Sequence, residues 1–531
     1  MARTKNDSYK GAMSSKGQGA QSGADLKETS FLTPYPYPEL VFGLVGPIGV
    51  SLDPVISVLK SKLRTLEYSS DVVRLSECIE RFFSSDYSSE PEHKRIKYLM
   101  DEGTKLRVES ERGDAVALLT IAEIANSRAS NSKKNSRRAF ILRSLKHPHE
   151  VETLRTVYGK GFFLISVYSP RDVRVAALSE RISKSQFGKA NNARAKAERL
   201  VERDEVEENI ALGQDVKDAF PMADLFIDGR DRASFENQIN RFIELLFGNV
   251  FLTPTRDEHG MYHARSAALR SSDLNRQVGA AILRSEGDLI AVGCNDVPKA
   301  GGDLYWTGDK GDARDFLRGI DSMADERVQV LGELLERLKK GGLLNVDNKS
   351  ADFSELVHDL ISGNQKFVLK GSRVMNLLEF GRSVHAEMAG LMTAARLGIS
   401  VQGATLYCTT FPCHMCARHI VASGVKRVVY IEPYPKSKAK QLHQDAIVVD
   451  PVTSSESHVN FEPFEGVAPR QYQEIFDPRD TRKDPQGKTF DWQANASPRF
   501  LRFATVYREV ETAIIANEIP RLAKKLGVKL S

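Results

Sequence analysis

Apolar positions in the first half of this chain come in short continuous runs separated by stretches of helical spacing. Leu40-Val-Phe-Gly-Leu-Val45 is apolar throughout and predicts a buried strand. A glycine-bearing turn follows at 46–51, and 54–63 has the apolar spacing of a helix. The alternation continues with a helix over 115–126, a strand over 139–142, a helix over 149–158 and a strand over 161–168. Residues 182–208, rich in Lys, Arg, Glu and Ala, predict a solvated helix or lid. A last strand at 224–228 and a helix at 237–248 close this half, with a boundary near 248. Strands alternating with helices predict a parallel α/β sheet.

The second half opens with a helix over 262–271 and strands over 277–283 and 288–293. A long polar, mostly helical insertion fills 301–374, with 325–340 its clearest amphipathic piece. A compact block follows: helix 385–397, strand 405–409, helix 413–423 and strand 427–431. The chain ends in a predicted helix over 497–526. The expected organisation is a tail over 1–33, an α/β domain over 34–248 and a second α/β domain over 249–531.

Composition narrows the choice. At 531 residues the chain exceeds one ordinary hydrophobic core. Hydrophobic residues at 41% and charged residues at 27% are ordinary for a globular protein. Lys and Arg number 75 against 70 Asp and Glu, a net charge of +5, which is mild and does not demand nucleic acid. The first 33 residues lack the apolar core of a secretory signal, and no apolar run reaches the ~20 residues of a membrane helix. A cytoplasmic location without membrane attachment is the expectation.

The five cysteines are Cys78, Cys294, Cys408, Cys413 and Cys416. An odd, sparse set argues against a disulfide framework, and the three-residue step from Cys413 to Cys416 points to a metal. His385-Ala-Glu387 and Pro412-Cys413-His-Met-Cys416 each stand at a predicted helix start. One imidazole and two thiolates supply three of the four tetrahedral positions Zn2+ prefers, leaving the fourth for water. Metal-bound water ionises near neutral pH and attacks an amidine-like ring carbon. Glu387, two residues from the histidine, is placed to move the proton. His-x-Glu followed by Pro-Cys-x-x-Cys is the pattern of the zinc deaminases. A structural zinc site would need a fourth ligand, and His414, His419 and Cys408 complete no recognisable spacing. Cys78, Cys294 and Cys408 are expected to be packing residues.

These motifs resemble the deoxycytidylate deaminase family. The resemblance extends to Ser272-Asp273, Gln277-Val-Gly-Ala280, Val292-Gly-Cys-Asn295, Gly403-Ala-Thr-Leu-Tyr407 and Ala422-Ser-Gly424. It implies that Asn295 contacts the substrate sugar. Cys294 stands where that family usually has Tyr, and the insertion before His385 is longer than in the family. Beyond the last strand of the block, Tyr434 beside Lys436 is a second substrate-binding candidate, for a base or a polyphosphate.

The turn at 46–51 resembles a degenerate P-loop of the nucleotide kinases. Gly46, Gly49 and Ser51 are the nucleotide-binding candidates, but Val50 stands where the P-loop lysine belongs, which makes phosphoryl transfer doubtful. Tyr168-Ser-Pro-Arg171-Asp-Val-Arg174 resembles the arginine-bearing lid entry of such kinases. A nucleoside triphosphate is the ligand expected there. The fold expectation is therefore a P-loop kinase-like parallel sheet joined to a cytidine-deaminase-like α/β/α domain.

That pairing resembles the bacterial antiviral cytidine deaminases. It implies deamination of dCTP and dCMP to dUTP and dUMP, depletion of deoxycytidine nucleotides against phage, and a small RNA that keeps the enzyme silent. A homo-oligomer is the expected assembly. Three alternatives stay open: a deaminase of cytosine or adenine in RNA or single-stranded DNA, a nucleotide- or RNA-sensing regulator with a structural zinc site, and a nucleotide kinase with an appended domain.

Overall fold

The protein is described from a computed structural model. It describes residues 37–529 apart from 131–136, 188–191, 206, 208–209, 211, 345–352, 364, 370–371, 377–380, 433–436, 478–480, 484, 495 and 500–503. Tyr434 and Lys436 therefore lie outside the described residues.

Two six-stranded sheets organise the chain. The first contains β1 (Leu40–Val45), β2 (Ser69–Arg74), β3 (Arg138–Arg143), β4 (Phe162–Tyr168) and β5 (Leu225–Asp228). They stand in the order β5-β4-β1-β3-β2, and every pair is parallel. β1 is buried at all six positions, as its unbroken apolar run requires. β2 reads Ser-Ser-Asp-Val-Val-Arg, an edge strand whose polar residues face outward, so its sequence resembles a loop.

The second sheet holds β6 (Gly279–Leu283), β7 (Leu289–Cys294), β8 (Thr405–Thr410), β9 (Arg427–Glu432), β10 (Ile447–Val449) and β11 (Val459–Pro463), ordered β10-β11-β9-β8-β6-β7. β6 is antiparallel to both neighbours; the remaining pairs are parallel. The helix Arg256–Ala268 starts at a capping box, Thr255 with Glu258, six residues before the expected start.

The end of the chain returns to the first half. β12 (Gly466–Val467) pairs antiparallel with β5. The helix Ala504–Ala513 runs through a π-turn at Ile514–Glu518, just before Pro520, into Ile519–Lys525. Its Glu511 takes Arg128 at 2.6 Å and Tyr158 at 2.9 Å, and its Tyr507 donates to Glu39 at 2.7 Å. The halves also meet at Asp450, whose carboxylate accepts from Tyr168 of β4 at 2.5 Å and Tyr430 of β9 at 2.8 Å.

The stretch expected to be solvated is not all solvent-facing. Arg171–Ser185 and Ala193–Glu205 pack together around Val175, Leu178, Ile182, Leu200 and Val201. The insertion after β7 does form helices, chiefly Ser322–Lys340, of which Leu331 is the one buried residue. Among the described residues no helix is long and apolar enough to cross a membrane.

Candidate metal centre and the β1 turn

The helix Ala386–Arg396 lies directly against β7 because Gly293 has no side chain. A Cβ there would stand 2.3 Å from the carbonyl oxygen of Ala386 and 2.4 Å from the Gly390 nitrogen. That close approach fixes the start of the helix. His385 is its N-cap, at φ −69° and ψ 155°, and Glu387 lies in its first turn. The second helix, His414–Ala422, follows β8, with Cys413 as its N-cap. The Cys413 Sγ accepts from the Cys416 N–H at 3.4 Å, so a thiolate occupies the place of a capping oxygen.

The two helix starts converge. His385 Nδ1 lies 3.3 Å from Cys413 Sγ and 3.4 Å from Cys416 Sγ, and the three ligand atoms lie within 4.8 Å of one another. Tetrahedral Zn2+ with bonds of about 2.3 Å to sulfur and 2.0 Å to nitrogen places its donors roughly 3.6 Å apart. The donor set and its spacing fit zinc. Among the described residues, His414, His419 and Cys408 do not join the group. Cys408 is buried in β8, and Cys78 and Cys294 are buried in packing positions, as expected.

The three ligand groups share protons unequally: the Cys416 thiol is held well above its ordinary value, first by its bond to Cys413. Hydrogen bonds from Cys416 and His385 outweigh burial and pull the Cys413 thiol down to about 4, while His385 is raised to about 9, chiefly by its bond to Cys413. Glu387 is 3% exposed. Burial, and then the Cys413 thiolate, push its carboxyl above the ordinary value.

Asn295 is 8% exposed and mostly committed to backbone. Its Oδ1 accepts from Val278 N–H at 2.7 Å and from the Ser271 hydroxyl at 3.0 Å; its Nδ2 donates to the Arg276 carbonyl at 2.6 Å. It ties 271–278 to the end of β7, and one N–H is left for a ligand. Sequence reasoning missed its neighbour Asp296, 2% exposed, which holds Ser272 through the backbone N–H and the hydroxyl. Only the Ser-Asp pair at 272–273 hinted at this contact.

Gly46, Gly49 and Ser51 lie in the turn after β1. Gly49 has φ +95°, and a Cβ there would sit 2.5 Å from the Arg174 carbonyl oxygen. The backbone N–H of Ile48 donates to Asp204 Oδ2 at 2.6 Å. Asp204 is fully buried and also meets Lys146 Nζ at 2.8 Å. A carboxylate from the helix Ala193–Glu205 thus takes a loop N–H that could otherwise hold a phosphate. Ser51 is exposed. Arg174, the expected lid arginine, is paired with Glu205 at 2.6 Å.

Comparison with known proteins agrees with this geometry. Residues 254–432 match the family model described as the cytidine and deoxycytidylate deaminase zinc-binding region. The deoxycytidylate deaminase of Enterobacteria phage T2 is 49% identical over 55 residues, which is 10% of this chain and 29% of that protein. A probable deoxycytidylate deaminase of Drosophila melanogaster is 24% identical over 200 residues, 36% of this chain and 70% of that protein. ComE operon protein 2 of Bacillus subtilis is 33% identical over 81 residues, covering 15% of this chain and 43% of that one. The chain thus spans under half the length of the phage T2 and Bacillus relatives. Among solved structures, the dCMP deaminase of cyanophage S-TIM5 in complex with dCMP and dUMP aligns over 40% of this chain and all of its own, at 18% identity and a TM-score of 0.22. That score is no evidence of a shared overall fold. Over residues 254–432, which hold His385, Glu387, Cys413 and Cys416, the chain matches the cytidine and deoxycytidylate deaminase family, with deoxycytidylate deaminases among its relatives.

Proposed function

We propose that this protein hydrolytically deaminates free deoxycytidine nucleotides. One observation carries the reading: a buried carboxylate, Glu387, stands at the same helix start as His385, where three zinc-type ligands converge and, among the described residues, no fourth joins them. A closed structural site has four protein ligands and no use for such a carboxylate.

His385, Cys413 and Cys416 would hold zinc, which would supply Lewis acidity toward water. Glu387 would take one proton from the attacking water and pass it to the ring nitrogen, then take the second from the hydroxyl added to the ring carbon and pass it to the amino group, which leaves as ammonia. Asn295 keeps the 271–278 segment beside the site and offers its remaining N–H to the sugar. Tyr434 and Lys436 are the further substrate contacts proposed from the sequence. The names of the relatives support deoxycytidylate as the substrate class, and dCTP is the finer proposal. Depletion of deoxycytidine nucleotides as a defence against phage is the role that this chemistry would serve.

A second reading assigns nucleotide binding to Gly46, Gly49 and Ser51. It is favoured by their place at the carboxyl end of β1 in a parallel sheet, where ligands of such sheets bind. It requires Asp204 to release the Ile48 N–H.

The test is ammonia release by zinc-loaded protein from dCTP, dCMP, deoxycytidine, CTP and a cytosine-containing oligonucleotide. Turnover of dCTP or dCMP is the expected result. Turnover of the oligonucleotide alone would overturn the reading.

A further inference from the structure

Between the two halves lies a cleft of about 760 Å³, within the range of nucleotide-sized sites. Its apolar lining comes from Pro221, Met222 and Phe226 of the first half and from Ile431, Ala468 and Pro469. Its rim is cationic, with Arg155, Lys217, Arg265, Arg276 and Arg470 against Asp218 and Glu432.

The cations are not equivalent. Arg155 and Arg470 are held by the fully buried Asp224 at 3.1 and 3.2 Å, so they are fixed in place and partly neutralised. Arg276 is paired with Glu432. Lys217, from the short helix Val216–Ala219, and Arg265, from the helix Arg256–Ala268, form no ion pair among the described residues. They come from opposite halves, yet both act electrostatically on the Glu432 carboxylate, together with Arg276. Arg276, Arg265 and Lys217 thus act on Glu432 from three separate elements, with Asp218 beside them, and among the described residues Lys217 and Arg265 form no ion pair.

The cleft adjoins the metal centre through the backbone. The Glu432 carbonyl accepts from the Phe411 N–H at 2.7 Å, two residues before Cys413. The Arg276 carbonyl accepts from Asn295 Nδ2 at 2.6 Å. A cationic rim over an apolar floor, made by both halves and joined to the metal-ligand turn, suits a ligand with a flat apolar group and several adjoining negative charges.

We propose that this cleft binds the polyphosphate group of a nucleotide, with Lys217 and Arg265 as its free contacts and Arg276 as the contact exchanged from Glu432. The polyphosphate has two sources: the tail of a substrate whose base reaches the metal centre, or a separate effector nucleotide. The first source rests on the deaminase reading above; the binding site itself does not.

The experiment uses the full-length zinc-loaded protein and inorganic triphosphate, titrated by calorimetry against wild type and the double variant Lys217→Ala/Arg265→Ala. Arg265 is exposed and Lys217 half-buried, and an unchanged melting temperature confirms folding. The expected result is a loss of about tenfold or more in affinity, the scale of one charge-assisted contact. A single Lys217→Glu variant should weaken binding further than Lys217→Ala. Unchanged triphosphate affinity in these variants overturns the proposal, as does binding of single-stranded RNA with none of triphosphate.

Kinetics separates the sources. If the tail is the substrate's, the KM for dCTP rises about tenfold relative to that for deoxycytidine in the double variant. If it belongs to an effector, that ratio holds and the response of turnover to added triphosphate is lost. Should wild type bind triphosphate in the cleft but deaminate no cytosine compound, the cleft stands and the deaminase reading falls.

Discussion

At the end of β1 the chain turns through 46–51 into the helix Asp53–Thr65; at the end of β8 it turns through 411–413 into His414–Ala422. Both turns leave backbone N–H groups in search of negative partners. The β8 turn finds them locally. Cys413 caps its own helix, Cys416 follows one turn later, and His385 arrives from a second helix start, so thiolates face a shared space suited to a cation. The β1 turn is served from a distance: Asp204, 156 positions on, gives its carboxylate to the Ile48 N–H and to Lys146. The β8 turn gathers ligands around room for a metal, and the β1 turn is neutralised by a buried carboxylate. Similar strand–turn–helix geometry therefore does not imply similar ligand use; what differs is where the countercharge comes from.

The largest effect expected is at the β8 turn. Cys416→Ser should empty the metal centre and lower ammonia release roughly a thousandfold, the scale of several kcal/mol of lost charge stabilisation. Metal analysis and the ammonia assay check it, and a variant that keeps both zinc and turnover would break the contrast between the turns.

At the β1 turn the expected effect is on the fold. Asp204→Ala leaves the partly exposed Lys146 without its buried partner and should lower the unfolding free energy by about 3 kcal/mol, measured in urea, with zinc content unchanged. No loss of stability would mean that Asp204 does not neutralise the turn.

Arg427→Met is expected to cost less, about 1–2 kcal/mol, because the side chain is one-third exposed. Arg427 joins Asp257, at 2.7 Å, to β9 and so braces the helix that backs β6 and β8. Burial alone would raise the Asp257 carboxyl, but the Arg427 guanidinium and then the Tyr407 hydroxyl more than offset it and hold it below the usual value. A lowered folded pKa stabilises above the unfolded value of about 3.9, and that contribution is lost as pH falls through the folded value. The deficit of Arg427→Met should therefore be full at pH 7 and shrink below about pH 4. A deficit independent of pH would show that packing, not charge, sets the effect. Smallest is Ser51→Ala, at an exposed position, expected to change stability by less than about 0.5 kcal/mol. A larger change would give the β1 turn an active hydroxyl.

The same contrast explains what the sequence made legible. The metal centre was readable because its parts are short-range: a cap, a three-residue step and an alternating His-x-Glu at helix starts. The buried strands β1 and β4 announced themselves by largely continuous apolar runs. β2 did not, because its polar edge carries the residues of a loop, and β10 and β12, at three and two residues, are too short to show a period. Asp204 looked like one more charge on a solvated helix, since its burial depends on Ile48 and Lys146 far away in the chain. Asn295 was expected to contact the substrate sugar; its two bonds to backbone and one to the Ser271 hydroxyl come from the pairing of distant segments. The return of the last helices to Arg128 and Glu39 likewise has no local trace.

The measurement that tests the central claim most directly is ammonia release from dCMP and dCTP by zinc-loaded Glu387→Gln beside wild type. The account predicts the same zinc content and the same melting curve, with turnover lowered by roughly two to four orders of magnitude, the contribution of a positioned proton carrier. Turnover within about twofold of wild type, with zinc in place, would contradict it.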